Sequence, residues 1–244
     1  MGYEFSQEDR ADVNATIDEV WTAIATGPGI DSWFMGKNEV ADGVVRLIFG
    51  DQPVTASEPG RRFAYGGDRD PDGRFIAFDF MIEGRAGGGT SLRMVTSGFL
   101  PGDDWADEFD AMTKGGALYF HTLVEYLNRF AGRTATPVTA SSGPVTDWPA
   151  AWAAIGRALG LAGHPETGDS VAFSIDGRTV EGTVFFANEH TVGVRSGDAI
   201  YRFIMGFRPG GGGPMFAMHN LFAPGVDAVA TEKQWSDWLT RVIT

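Results

Sequence analysis

The sequence predicts an α+β protein built as two consecutive units. Three observations carry this reading. Between residues 43 and 99, apolar and polar residues alternate in runs separated by Gly, Pro and Asp turns, the period of antiparallel strands. From about Asp104 to Phe130, apolar residues recur at helical spacing. Beyond residue 131 a small, polar, Pro-containing stretch intervenes, and a helix, several strands and a final helix then come again in shortened form.

The N-terminal "YEFSQEDRADVNA" alternates like a short strand. "ATIDEVWTAIA" follows as a helix, with Thr16 and Glu19 spaced as a capping box and Ile17, Val20, Trp21 and Ile24 on its apolar face. "TGPGIDSWF" breaks that helix and admits a second short one before Trp33 and Phe34. The strand stretches are "GVVRLIFG", "PVTASEPGRRFAYGG", "GRFIAFDFMIEG" and "GGTSLRMVTSGF". In "FIAFDFMI", Ile76, Phe78, Phe80 and Ile82 share one face, as in a sheet covered on one side. The long helix carries Trp105, Phe109, Met112, Gly116, Tyr119, Phe120, Leu123, Leu127 and Phe130 in one stripe. Asp107, Asp110, Lys114, His121, Glu125 and Arg129 lie opposite. Its acidic start, "GDDWADEFD", suits the positive end of the helix dipole.

"AGRTATPVTASSGP" reads as linker, with room for a short strand at "PVTA". The expected division is residues 1–133 as the first domain, 134–146 as linker and 147–244 as a second α+β domain. In the second, "TDWPAAWAAIGRALGL" is a helix with Pro149 in its first turn. "SVAFSI", "RTVEGTVFFA", "HTVGVRS", "AIYRFIMGF" and "PMFAMHNLF" are strands, and "TEKQWSDWLTRVI" is the closing helix.

Composition narrows the function. The 244 residues carry a net charge of -13, which repels phosphate backbones and anionic membranes; nucleic acid and membrane are not expected partners. There is no cysteine, which removes disulfides, thiolate metal sites and cysteine nucleophiles. No apolar run reaches the ~20 residues that span a bilayer, and the N-terminus lacks the features of a signal peptide, so a cytoplasmic protein is expected.

Chemical motifs are sparse. The histidines His121, His164, His190 and His219 lack metal-ligand spacing. His219 alternates with Met215, Ala217 and Leu221 and reads as a core histidine. "RAGGGT" and "RPGGGGP" each lie between strands rather than before a helix, so they read as turns and not as phosphate cradles. "DRDPDG" lacks the distal carboxylate of a calcium loop. Arg46, Arg93 and Arg202 fall by alternation on outer sheet faces. No catalytic group, metal or cofactor is expected.

One anomaly is Gly115–Gly116 inside the long helix, where each glycine costs about 1 kcal/mol relative to alanine. Gly116 sits within the apolar stripe. It either leaves space for a ligand or admits one of the protein's own rings.

Several stretches together resemble a known family: "ATIDEVWTAIATGPGIDSWF", "EGRAGGGTSLRMVTSGF" and "ALYFHTLVEYLNRF". The order strand–helix–helix–strands–long helix resembles the helix-grip fold of the START/SRPBCC superfamily, the birch-pollen-allergen-like architecture. The quoted stretches are similar to its heat-shock-protein-90 ATPase activator family over roughly residues 5–131, through Glu19-Val20-Trp21, Trp33-Phe34, Gly89-Thr90 and Tyr126-Leu127. The resemblance implies a curved antiparallel sheet wrapped on the long C-terminal helix with a cavity between them. The second half resembles the superfamily by element order alone, as a degenerate copy with one strand and one helix fewer. Members often carry tryptophan where Gly116 stands. The implied cavity would be lined by Trp33, Phe49, Tyr65, Phe78, Phe80 and Met94 on one side and by Phe109, Met112, Gly116, Tyr119 and Phe120 of the helix on the other. The expected function is non-catalytic binding of a small hydrophobic or aromatic molecule. The resemblance also raises a chaperone co-factor or self-associating role, and, through other helix-grip proteins, a cyclase- or aromatase-like enzyme. The assignable inward positions are nearly all apolar, which ranks the enzyme below the binder.

Overall fold

The computed structural model describes residues 2–103, 105–206 and 212–243. Its chain divides into one unit of residues 1–113 and 122–134 and another of residues 114–121 and 135–244. The first begins with strand β1 (Tyr3–Val13), helix α1 (Ile17–Ala25) and the single turn α2 (Gly27–Ile30). The capping box is formed: the Glu19 carboxylate accepts from the Thr16 N–H at 2.8 Å, and the Glu19 N–H donates to the Thr16 hydroxyl at 3.3 Å. Val20 and Ile24 are fully buried, while Ile17 remains partly exposed.

Strands β2 (Glu39–Ala41), β3 (Val44–Leu47), β4 (Gly50–Glu58), β5 (Arg62–Gly66), β6 (Phe75–Gly84) and β7 (Thr90–Leu100) follow. They form one antiparallel sheet in the order β1-β7-β6-β5-β4-β3-β2. β2 has only three residues, too few to show an alternation, and escaped the sequence reading. The residues behind the family resemblance have local structural reasons. Gly89 takes φ +83, and a Cβ there would lie 2.7 Å from the Val13 carbonyl oxygen. The next residue, Thr90, is fully buried and donates to the Ala15 carbonyl at 2.8 Å. Trp33, 2% exposed, donates its indole N–H to the Ala23 carbonyl at 2.9 Å, locking the segment after α2 onto α1.

Helix α3 (Trp105–Arg129) contributes to both units: residues 114–121 group with the second, the remainder with the first. Asp104, the expected start, lies outside the described residues. In the C-terminal half of α3, Leu123, Tyr126 and Leu127 are buried as the stripe requires, and Phe130 just beyond it is buried too. Leu118 and Thr122 are buried besides.

The second unit has β8 (Thr136–Val145), α4 (Trp148–Ala158), β9 (Ser170–Ile175), β10 (Arg178–Ala187), β11 (Thr191–Arg195), β12 (Ala199–Met205), β13 (Gly213–Leu221) and α5 (Ala228–Ile243). Its antiparallel sheet runs β8-β13-β12-β11-β10-β9. In both sheets the first strand pairs with the last, and the others follow as a meander. The expected linker 134–146 is thereby corrected: residues 136–145 are a strand, paired with β13 from Thr136↔Leu221 to Val145↔Gly213. Pro137 and Pro144 disguised it. Both are tolerated because β8 is an edge strand. Part of the "RPGGGGP" turn, residues 207–211, lies outside the described residues.

One face of the second sheet is filled by its own rings. Trp235 and Trp238 of α5 stand 5.3 Å apart and pack on Phe173, Tyr201 and Phe203. His219 lies on this face, 1% exposed, with Trp235 at 4.1 Å. Arg202 needs a second correction. Alternation does place it on the opposite face, but it is fully buried there, because Tyr119 of the α3 segment covers it at 4.9 Å from the guanidinium carbon. The Arg202 Nε–H donates to the Met218 carbonyl at 2.8 Å. Among the described residues, no helix is long and apolar enough to cross a membrane.

Candidate functional site

In an antiparallel ladder, directly opposed residues point to the same face. In the first sheet, Trp21 of α1 packs edge-on against Phe63 at 5.8 Å and Trp33 against Phe80 at 6.3 Å, which defines the inner face. The register then extends it. Phe63 opposes Phe80, Phe80 opposes Met94 and Met94 opposes Asp9. One step along, Tyr65 opposes Phe78, Phe78 opposes Thr96 and Thr96 opposes Gln7. The inner face therefore holds two parallel rows, each crossing four strands.

The first row is closed. Phe63, Phe80 and Met94 are buried, and only Asp9 at its end is half-buried. The second row is partly open, with Phe78, Thr96 and Gln7 all half-buried. Tyr65 belongs to this row but is 1% exposed, in a nest of rings: Phe78 at 5.3 Å, Phe63 at 5.8 Å and Phe80 at 6.2 Å. Burial raises its phenol pKa well above the ordinary tyrosine value, so the hydroxyl stays protonated. Among the described residues, that hydroxyl makes no hydrogen bond.

The expected lining divides as follows. Trp33, Tyr65, Phe78, Phe80 and Met94 come together on the inner face. Phe49 does not: it sits in the turn between β3 and β4, 48% exposed, with Phe34 at 6.2 Å, because the chain reverses before the alternation reaches it. Phe109 packs on Tyr3 at 5.1 Å and Phe5 at 5.4 Å, and Met112 is half-buried. Gly116, Tyr119 and Phe120 belong to the second unit. Tyr119 meets Met218 and Arg202 there. Gly116 is exposed, and a Cβ built on it or on Gly115 meets nothing within 4 Å. Its bareness therefore says nothing about space over the first sheet.

The polar members Gln7, Asp9 and Thr96 were missed, which corrects the expectation that inward positions are nearly all apolar. Three cations stand on the other face: Arg93 and Arg10 both reach Glu8, and Arg62 makes a bidentate pair with Asp79 at 3.0 and 2.8 Å. Arg74, one residue before β6 and on its inward phase, pairs with Glu108 of α3.

No protein-family model matches the chain, and no curated protein matches it. Solved structures do. A structural-genomics protein from Mesorhizobium loti is 25% identical over 52% of this chain and 98% of its own, with a TM-score of 0.41. The Aha1 dimer from Colwellia psychrerythraea is 19% identical over 51% of this chain and 96% of its own, also at 0.41. The di-domain ARO/CYC protein BexL from the BE-7585A biosynthetic pathway is 12% identical over 95% of this chain and 92% of its own, at 0.44.

Proposed function

We propose that the first unit binds a small hydrophobic or aromatic molecule on the inner face of its sheet, beside Tyr65, Phe78 and Thr96. The observation that carries this reading is the partly open second row, in which Phe78, Thr96 and Gln7 are half-buried beside Tyr65, whose hydroxyl makes no hydrogen bond among the described residues. An apolar surface with a few convergent polar groups is the usual composition of a small-molecule site. The half-buried state of Phe78 and Thr96 supports it, since a closed core would hide both. The second unit, with its matching strand order, is read as a degenerate copy whose corresponding face is plugged by Trp235 and Trp238. Binding is thereby assigned to the first unit.

Titration with the neutral hydrophobic dye Nile red tests this. The wild type should give saturable fluorescence enhancement. Thr96→Trp, which fills the open row from a half-buried position, should abolish it while leaving the circular dichroism unchanged. Absence of saturable binding in the wild type, or unchanged binding in Thr96→Trp, refutes the reading.

A further inference from the structure

Outside the ring cluster around Trp235, the second unit carries a cleft of about 590 Å³, within the size range of small-molecule sites. We propose that this cleft binds a planar aromatic carboxylate. Such a ligand binds apart from the hydrophobic molecule of the first unit, and the two sites stand or fall separately.

Three segments wall the cleft: one flank of α4, the loop that follows it through residues 162–164, and the turn between β10 and β11 at residues 189–190. Each is fixed by bonds of its own. The loop lies directly on the helix. A Cβ at Gly156 would come 2.4 Å from the Gly163 carbonyl oxygen, so only glycine admits the approach. The Leu161 N–H donates to the Gly156 carbonyl at 2.9 Å. The turn is closed by Asn188, whose side-chain oxygen accepts from the His190 and Thr191 N–H groups at 2.9 and 2.8 Å. His164 joins loop to turn: its Nε2–H donates to the Asn188 carbonyl at 3.2 Å. The walls are thus ordered before any ligand arrives, which removes part of the cost of binding.

The lining sets the class of ligand. Trp148 is half-buried, and Trp152, one turn further along α4, is 6% exposed with the His164 ring edge-on to it at 5.8 Å. Met205 adds to this apolar lining. Flat ring surfaces of this kind favour a flat aromatic partner. Charge is the second discriminant. Arg157 is exposed, and its guanidinium makes no hydrogen bond or ion pair among the described residues. Glu189, the carboxylate of the lining, is already paired with Lys114. Arg157 is therefore a permanent cation left for an incoming anion. Its planar fork matches a carboxylate through two parallel hydrogen bonds, whereas one cation is too few for a phosphate dianion. Arg157 comes five residues after Trp152, about 7.5 Å along the helix axis. A two-ring aromatic acid covers that span from ring to carboxylate.

The experiment uses the full chain with 2-naphthoate and its neutral amide, 2-naphthamide. Affinity is read by calorimetry. Position is read from the indole N–H signals of Trp148 and Trp152 in a nitrogen-15-labelled sample, each assigned by its Phe variant. 2-Naphthoate should bind about tenfold or more tightly than the amide, as expected for a charge-assisted pair in place of a neutral one, and should shift both indole signals. Arg157→Gln, at an exposed position, should keep the fold and bring the two probes to equal affinity. Trp148→Ala should weaken both. Thr96→Trp, in the first unit, should change neither. Absence of saturable 2-naphthoate binding, unmoved indole signals, equal affinities in the wild type, a preference that persists in Arg157→Gln, or loss of binding in Thr96→Trp each overturns the proposal. Saturable Nile red binding without naphthoate binding refutes this cleft alone; the reverse refutes the first unit's site alone.

Discussion

Acidification should destabilise the protein through His219, and the size of the effect follows from its surroundings. The ring is 1% exposed, and its Nδ1 accepts the Arg202 backbone N–H at 3.1 Å, so the imidazole is neutral with its proton on Nε2. Tyr201, Phe203 and Trp235 pack around it, at 5.1, 5.7 and 4.1 Å between ring centres. Burial first, and the neighbouring Arg202 cation second, hold its pKa well below the ordinary 6.5. The sign follows directly. Below the ordinary value, the unfolded chain takes up a proton that the folded chain refuses. The stabilisation is therefore complete above that value and is lost as pH falls toward the folded pKa. With the folded ring still neutral, the loss between about pH 7.5 and about pH 5.5 is about 1.4 kcal/mol. Urea unfolding of the wild type and of His219→Gln at the two pH values isolates it. The variant will be less stable at both, because the Arg202 N–H loses a well-placed acceptor, but its drop between them should be smaller by about 1.4 kcal/mol. Equal drops would mean that His219 is protonated in the folded state, and the buried neutral ring would be refuted.

Other substitutions follow from the same geometry. Gly115→Ala and Gly116→Ala should each raise the midpoint of thermal unfolding, by about 0.5–1 kcal/mol in stability, since the added methyl meets nothing within 4 Å; no gain in either would show that α3 needs its glycines for another reason. Thr16→Ala dismantles the capping box and should cost about 1 kcal/mol in chemical denaturation. Trp235→Ala removes the ring on which Phe173, Tyr201, Phe203 and Trp238 converge, and should cost about 3–5 kcal/mol. Phe49→Ser, at a half-exposed turn position, should change stability by less than about 0.5 kcal/mol; a larger loss would return Phe49 to the core.

Elements whose patterns are local were legible in the sequence. The Thr16 capping box, the "FIAFDFMI" alternation and the α5 stripe each declare themselves within a dozen residues, and each is present. What escaped depends on partners distant in sequence. Strand β8 carries Pro137 and Pro144 and reads as linker until β13, some 75 residues later, is laid beside it. The α3 stripe announces a buried side but not the surface that buries it. Nothing in "GGALYFH" tells that Tyr119 will cover Arg202. For the same reason Arg202, an arginine at an outward phase, read as surface: its burial is decided by residues 80 positions away.

The polar row was within reach of the sequence, and the reason it was missed bears on how such sites are found. In "YEFSQEDRADV", the odd positions are Tyr3, Phe5, Gln7, Asp9, Ala11 and Val13. Four apolar residues thus share a phase with one amide and one carboxylate. A strand whose apolar phase is interrupted by polar side chains sets local pattern against burial, and such conflicts gather where a protein accepts less stability for the sake of contact with something else. The structure brings these interruptions beside Thr96 of β7, the one polar side chain between Leu92 and Leu100 on that strand's inward phase, and in line with the unpaired Tyr65 hydroxyl. Sequence positions about 90 residues apart deviate from their strand patterns at the same point of the sheet.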